Sequence, residues 1–269
     1  MGGMFKLKSN KLNLPEESFR LQIKDLAEDV RIKFARKGLS DIFDVLSEAA
    51  FIIRKPLDTD ELSGFSTYFE GQFIVYLNSN FTLGHERYTG AHELYHLIYN
   101  ADILKKEKIL LDDERYNVED MKADVFASEF LMPEDYVKEV FYRIVDVDKN
   151  NILPRHIIRM HNFFKVSYKA MLKRLIQLDL CSSDKYEELL DICSLENTEQ
   201  LQALTKREGY SIDLITPSRE TFVPKEYIEF VKTNYEKGDI SYKNMKHSLE
   251  FIGLAPEQFG YEYPQKEDY

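Results

Sequence analysis

The chain has 269 residues, of which 43% are hydrophobic and 31% charged, enough to bury one large core or two small ones. Its formal net charge of −11 argues against a general nucleic-acid binder, whose affinity comes largely from basic side chains on phosphates. No apolar run approaches about 18 residues, so no membrane-spanning helix is expected.

Residues 1–14 read as a disordered, tag-derived leader: Met1-Gly2-Gly3 precedes a second methionine, Met4, and no apolar stretch marks a secretory signal. Cys181 and Cys193 are too few for a disulfide framework and form no CxxC pair, so they are expected as reduced thiols of a cytoplasmic protein.

In chain order, Pro15 to Gly38 carries apolar residues at helical spacing, with Pro15-Glu16-Glu17 as its first turn. A short helix over Asp41 to Ala50 follows. Phe51 to Ile53, Gly64 to Glu70 and Gln72 to Leu77 read as three strands, with Gly71 at the tip of a hairpin. Helices are then expected over 87–100, 118–131 and 133–145. The polar run Asp146 to Asn151 is the candidate boundary between a first domain, residues 15–145, and a helical C-terminal region, residues 152–269. Further helices are expected at 155–164, 168–178, 185–193, 198–207, 225–237 and 242–252, with 212–223 extended or loop. The fold class is therefore α+β, predominantly helical, with a small three-stranded sheet, antiparallel or mixed.

The chemistry concentrates in His92-Glu93-Leu94-Tyr95-His96. Histidines four apart on a helix project from one face, one turn apart, and both imidazoles can reach one zinc ion. Glu93 then lies beside the metal, placed to take a proton from an attacking water and pass it to a leaving amine. Two histidines make half a tetrahedral site, so a third protein ligand is required. The next long helix offers Glu119, Asp120 and Asp124. Asp120 and Asp124 share a face, so one could ligate while the other accepts a hydrogen bond from a ligand imidazole.

Two longer stretches carry a family resemblance. Arg87-Tyr88-Thr89-Gly90-Ala91-His92-Glu93-Leu94-Tyr95-His96-Leu97 resembles the R-F-T-x-A-H-E-L-x-H-L motif of the ImmA/IrrE metallopeptidases. Ala123-Asp124-Val125-Phe126-Ala127-Ser128-Glu129-Phe130-Leu131-Met132-Pro133 resembles their A-N/D-x-F-A-x-x-L-L-M-P, and Ile74-Val75-Tyr76-Leu77-Asn78 resembles the asparagine-ended strand before the first motif. The resemblance implies a zincin-like core with a gluzincin-like site. His92 and His96 would be zinc ligands, Glu93 the base, and an acidic residue the third ligand. Where the family usually has glutamate, three residues before the alanine of the second motif, this chain has Asp120. Asp120 fits the spacing with a shorter reach; Glu119, one residue earlier, has the reach but points about 100° away. Asp120 is preferred and Glu119 kept as the alternative, with Asp124 as the carboxylate behind the ligands.

The resemblance further implies a zinc-dependent endopeptidase whose protein substrate is a helix-turn-helix repressor of a mobile element or stress response. The competing reading is a non-catalytic zincin-fold regulator that binds a partner protein or DNA. Strands 64–70 and 72–77 are candidates to hold substrate in extended form. His85 and Arg87 are candidates to stabilise the oxyanion, with a structural charge-partner role preferred for Arg87. Residues 155–180 resemble the helix-turn-helix-like element that follows the family's peptidase core. Arg155, Arg159, Lys165, Lys169, Lys173 and Arg174 make this element locally basic. A solvated basic face is preferred there over a DNA-reading helix.

Overall fold

The computed structural model of the protein describes residues 17–69, 71–107, 114–145 and 147–263. The expected leader at 1–14, the first-turn residues Pro15 and Glu16, and Glu70 and Asp146 lie outside the described residues.

The described chain opens with α1 (Glu17–Ala35) and α2 (Ile42–Ser47), followed by β1 (Phe51–Lys55), β2 (Gly64–Phe69) and β3 (Gln72–Asn78). Next come α3 (Leu83–Tyr99), α4 (Ala101–Glu107), α5 (Glu114–Leu131) and α6 (Glu134–Ile144). The remainder is helical: α7 (Pro154–Phe164), α8 (Tyr168–Gln177), α9 (Ser183–Asp191), α10 (Thr198–Arg207), α11 (Lys225–Glu236) and α12 (Tyr242–Phe251). The class is α+β and predominantly helical, as the periodicity indicates. None of these helices is long and apolar enough to cross a membrane.

The sheet is mixed, in the order β1-β3-β2: β1 runs parallel to β3 and β2 antiparallel to it. Gly71, at φ +87°, supplies the left-handed residue between β2 and β3 that the hairpin needs. The central strand ends on Asn78, fully buried, whose amide binds a whole loop. Its Nδ2 donates to the carbonyls of Leu57 and Leu62, and its Oδ1 accepts from the backbone N–H groups of Leu57 and Asn80. That explains an asparagine at the end of an otherwise apolar strand: the β1–β2 connection has no ladder of its own and hangs on this side chain.

Helix α3 starts four residues before its expected position because Thr82 caps it, its hydroxyl accepting from the His85 N–H. Gly84 in its first turn is a close-approach residue. A Cβ there would stand 2.5 Å from the Ser167 nitrogen and 2.7 Å from the Leu214 carbonyl oxygen. Helix α4 has no counterpart among the expected elements. It restarts at once after α3, with Ile103 and Leu104 donating to the Asn100 carbonyl, and Leu104 is its buried anchor.

Two large cores result. One gathers α1, α2, the sheet, α3 and α5, with Leu77, Ala91, Leu94 and Phe126 at its centre. The other begins at Met132 and collects α6 to α10 around Ile157, Met160, Leu172 and Leu175. A smaller apolar cluster holds α11 against α12. Arg174 on α8 ties the first two together: its guanidinium lies 2.7 Å from Glu129 on α5 and its Nε donates to the Met132 carbonyl. Both side chains of that ion pair are buried. The segment after α10 also returns to the first core. Phe222 bridges to Arg54 on β1, Pro217 bridges to Thr82, and Arg54 and Ser218 both bind the buried carboxylate of Glu86.

Candidate metal centre

Helices α3 and α5 pack side by side and bring His92, His96 and Asp120 together. The two Nε2 atoms are 3.2 Å apart, and Asp120 Oδ1 is 3.4 Å from that of His92 and 3.3 Å from that of His96. The three atoms form a nearly equilateral triangle. Donor atoms about 2.0–2.1 Å from a tetrahedral centre stand about 3.3 Å apart, so the triangle has the size of one face of a zinc site.

The far side of each ring fixes which nitrogen carries a proton. His92 Nδ1 faces Asp124 Oδ1 at 3.2 Å, and His96 Nδ1 faces Asn100 Oδ1 at 3.0 Å. Both partners are acceptors, so both Nδ1 atoms are N–H donors and both rings turn Nε2 inward, toward each other and Asp120. Asp120 Oδ1, also turned inward, is buried and accepts no well-formed hydrogen bond. Three electron pairs converging on one point repel unless a proton or a cation sits among them. With a proton there, burial disfavours the imidazolium of His92, but the carboxylates of Asp120 and Asp124 outweigh it and push its pKa up to about 10. Burial likewise works against the charge on Asp120, yet the two imidazoles hold its pKa down at about 2. A two-His, one-carboxylate set of this shape fits zinc.

Glu119 is turned elsewhere. Its carboxylate accepts from the Tyr95 hydroxyl at 3.1 Å, Asn100 Nδ2 at 2.8 Å and Lys122 Nζ at 2.6 Å. Burial opposes its charge, but those donors win and hold it ionised. Asn100 thus joins Glu119 to His96, an arrangement that the expectation of Glu119 as a direct ligand did not contain.

Glu93 follows His92 on α3 and is nearly fully buried, its Oε2 accepting from Ser66 Oγ on β2 at 2.6 Å. That bond aims one oxygen at the sheet and leaves the other for the cleft. Ser66 was not legible as a site residue: it is a lone serine in a strand, and only the α3–β2 packing gives it a role.

A cleft of about 390 Å³ opens in front of Glu93 and His92. Ser63 and Gly64 of the β2 end form one rim, and Lys169, Lys173 and Gln177 of α8 form the opposite one. Gly64 is required where it stands, because a Cβ would meet Thr89 Cγ2 and the Tyr76 carbonyl at 2.7 Å. His85 lines the same cleft, stacked on Phe81, with its Nε2 2.9 Å from Ser63 Oγ. Burial, helped by Lys169, lowers its pKa to about 4 and keeps the ring neutral.

Arg87 is not at the cleft. Its Nε donates to the Lys165 carbonyl and its Nη1 to Asp41, so it fastens α3 to the α7–α8 turn and to the cap of α2. Its guanidinium is thereby engaged by the α2 cap and the α7–α8 turn, the structural charge-partner role preferred for it over the oxyanion one. The basic run on α7 and α8 is not one face either. Arg159 pairs with Glu208, Arg174 is buried on Glu129, and Lys169 and Lys173 turn into the cleft.

Residues 47–176 match the family model for the IrrE N-terminal-like domain, Peptidase M78. The matched span runs from the last residue of α2 to the penultimate residue of α8 and includes the cleft-lining residues named above except Gln177. No curated protein matches the chain.

Proposed function

We propose, on the match of residues 47–176 to the IrrE N-terminal-like domain of the Peptidase M78 family, that the chain is a zinc-dependent endopeptidase with His92, His96 and Asp120 as metal ligands and Glu93 as general base. The observation that carries this reading is the triangle of His92 Nε2, His96 Nε2 and Asp120 Oδ1, 3.2–3.4 Å from one another, with a buried glutamate beside it.

Zinc in such a site supplies Lewis acidity, which acidifies a water and polarises a peptide carbonyl. The rest of the chemistry belongs to the chain. Glu93, oriented by Ser66, accepts the proton of the attacking water and returns it to the departing amine. His85, neutral at working pH, is placed to donate a hydrogen bond to the carbonyl oxygen as negative charge develops there. Asp124 and Asn100 keep the ligand rings in the correct tautomer. The β2 rim from Ser63 offers backbone to an extended peptide, since β2 is an outer strand of the sheet.

The family resemblance suggests a helix-turn-helix repressor in the cytoplasm as substrate. Zinc analysis beside proteolysis tests the reading. Wild type is expected to hold one zinc, Asp120→Ala to lose it, and Glu119→Ala to retain it more weakly. Cells expressing wild type should show new N-termini in a DNA-binding regulator that are missing with Glu93→Gln. A biological output that survives Glu93→Gln intact would instead favour the non-catalytic regulator.

A further inference from the structure

The two walls of the cleft differ in how their charges are satisfied. On the α3–α5 side, the acidic groups that reach the cavity are engaged: Glu93 by Ser66 and Asp124 by His92. On the α8 side, Lys169 and Lys173 stand one turn apart on one face and line the same cavity. Lys169 is exposed and Lys173 half-buried. Neither ammonium has a hydrogen bond or an ion pair among the described residues. Their neighbour Arg174 and the preceding Arg159 each have a carboxylate partner. In a chain of net charge −11, two uncommitted cations side by side in one cavity are conspicuous.

Partial burial of the Lys173 ammonium costs solvation that a counter-charge returns, and Lys169, exposed one turn away, adds a second positive charge beside it. The carboxylates already present are held by other donors, so the missing partner must come with the ligand. We propose that Lys169 and Lys173 are specificity-determining residues that select a substrate segment carrying an aspartate or glutamate side chain within two residues of the scissile bond. This rests on the peptidase reading above and deepens it. The cleft lies between an outer strand that can hold a peptide backbone and a helix that presents the two lysines. A peptide extended along the β2 rim therefore brings alternate side chains against α8. A carboxylate there gains charge-assisted hydrogen bonds from one or both ammonium groups. Duplex DNA fits this wall poorly, because a groove-reading helix must project from the surface and these lysines line a cavity of about 390 Å³ shared with carboxylates.

The test uses the zinc-loaded full chain and a peptide pool balanced in acidic, basic and neutral residues, with cut sites read by mass spectrometry. Wild type is expected to cut with Asp or Glu enriched near the bond. The double variant Lys169→Glu/Lys173→Glu should lose that enrichment and move toward Lys or Arg, a change of at least about tenfold in relative kcat/KM. Lys169→Arg/Lys173→Arg should keep the acidic preference, and both variants should match wild type in zinc content and thermal stability. Cutting with no acidic enrichment, or an enrichment indifferent to charge reversal, overturns the inference while leaving the peptidase reading standing. A second arm measures binding of an acidic peptide and its Asn/Gln counterpart to Glu93→Gln by fluorescence anisotropy. Lysine-dependent acidic binding without any cutting by wild type would keep the recognition role and sink the peptidase reading. Neither cutting nor acidic preference in binding overturns the inference outright. So would lysine-dependent binding of duplex DNA with no effect on acidic peptides.

Discussion

The first core and the second present opposite styles of wall to the same cleft. On the α3–α5 side the polar groups around the triangle are matched: Nδ1 of both histidines, both amide atoms of Asn100, and Glu93 through Ser66. On the α8 side the fixed groups lie at the root of the helix and the free ones at the cavity. The chemistry is held on a satisfied, buried scaffold, which preorganises it. Recognition is left to side chains whose partners arrive from outside. That division predicts that variants of the first wall change rate or metal, whereas variants at the root of α8 change stability.

The largest expected effect is on the first wall. Glu93→Gln keeps the bond to Ser66 and the packing but cannot carry a proton, so kcat should fall by about 10²–10⁴-fold with zinc content unchanged. Single-turnover cleavage beside metal analysis checks it, and loss of zinc in this variant would mean that Glu93 holds the site together.

At the root of α8 the expected loss is thermodynamic. Arg174→Leu leaves Glu129 as a buried charge with its partner removed, which costs about 3–5 kcal/mol. Thermal melts should drop by about 10 °C, and Arg174→Leu/Glu129→Leu should recover a large part of it. A similar drop in Lys173→Leu would break the distinction between root and cavity.

His161 makes the same root depend on pH. It is fully buried in α7, its Nδ1–H donates to the Val166 carbonyl that begins the turn into α8, and Asn162 Nδ2 donates to its Nε2. Burial outweighs that backbone bond and lowers its pKa from 6.5 to about 4. The unfolded chain therefore takes up a proton below pH 6.5 that the folded chain refuses until about pH 4. The stabilisation is complete above pH 6.5 and lost as pH falls through 4, roughly 3 kcal/mol in all. Urea midpoints of wild type should fall across that window more steeply than those of His161→Gln; parallel curves would show that His161 does not titrate with unfolding.

How much of this was legible in the sequence depended on distance along the chain. The histidines stand four apart on one helix, so spacing alone put them on one face with Glu93 beside them, and the helical period exposed nearly every helix. The order of the mixed sheet was not legible, because the parallel pairing of β1 with β3 is a long-range choice that hydrophobic pattern leaves open. Ser66, Asn100 and the cleft-lining role of Lys169 were equally hidden. Each depends on which elements pack together, and a lone serine, asparagine or lysine looks the same on a solvated surface. Arg87 and Arg174 show the converse: their charge was visible, but only packing reveals that both are buried ties between helices.

The smallest effect separates the ligands from what lies behind them. Asn100 accepts from His96 Nδ1 and donates to Glu119, so Asn100→Ala frees the His96 ring to rotate and leaves Glu119 with Tyr95 and Lys122. Loss of such an outer partner weakens metal binding by about 10–100-fold, short of the complete loss expected when a ligand is removed. Glu119→Ala acts on the same chain one link further out and should be milder still, since Asn100 keeps its bond to His96. Zinc titrations against a competing chelator should therefore rank wild type above Glu119→Ala, then Asn100→Ala, then Asp120→Ala. If Glu119→Ala fell below Asn100→Ala, the glutamate would be reaching the metal itself, and the satisfied wall would contain one ligand more than the triangle of His92, His96 and Asp120.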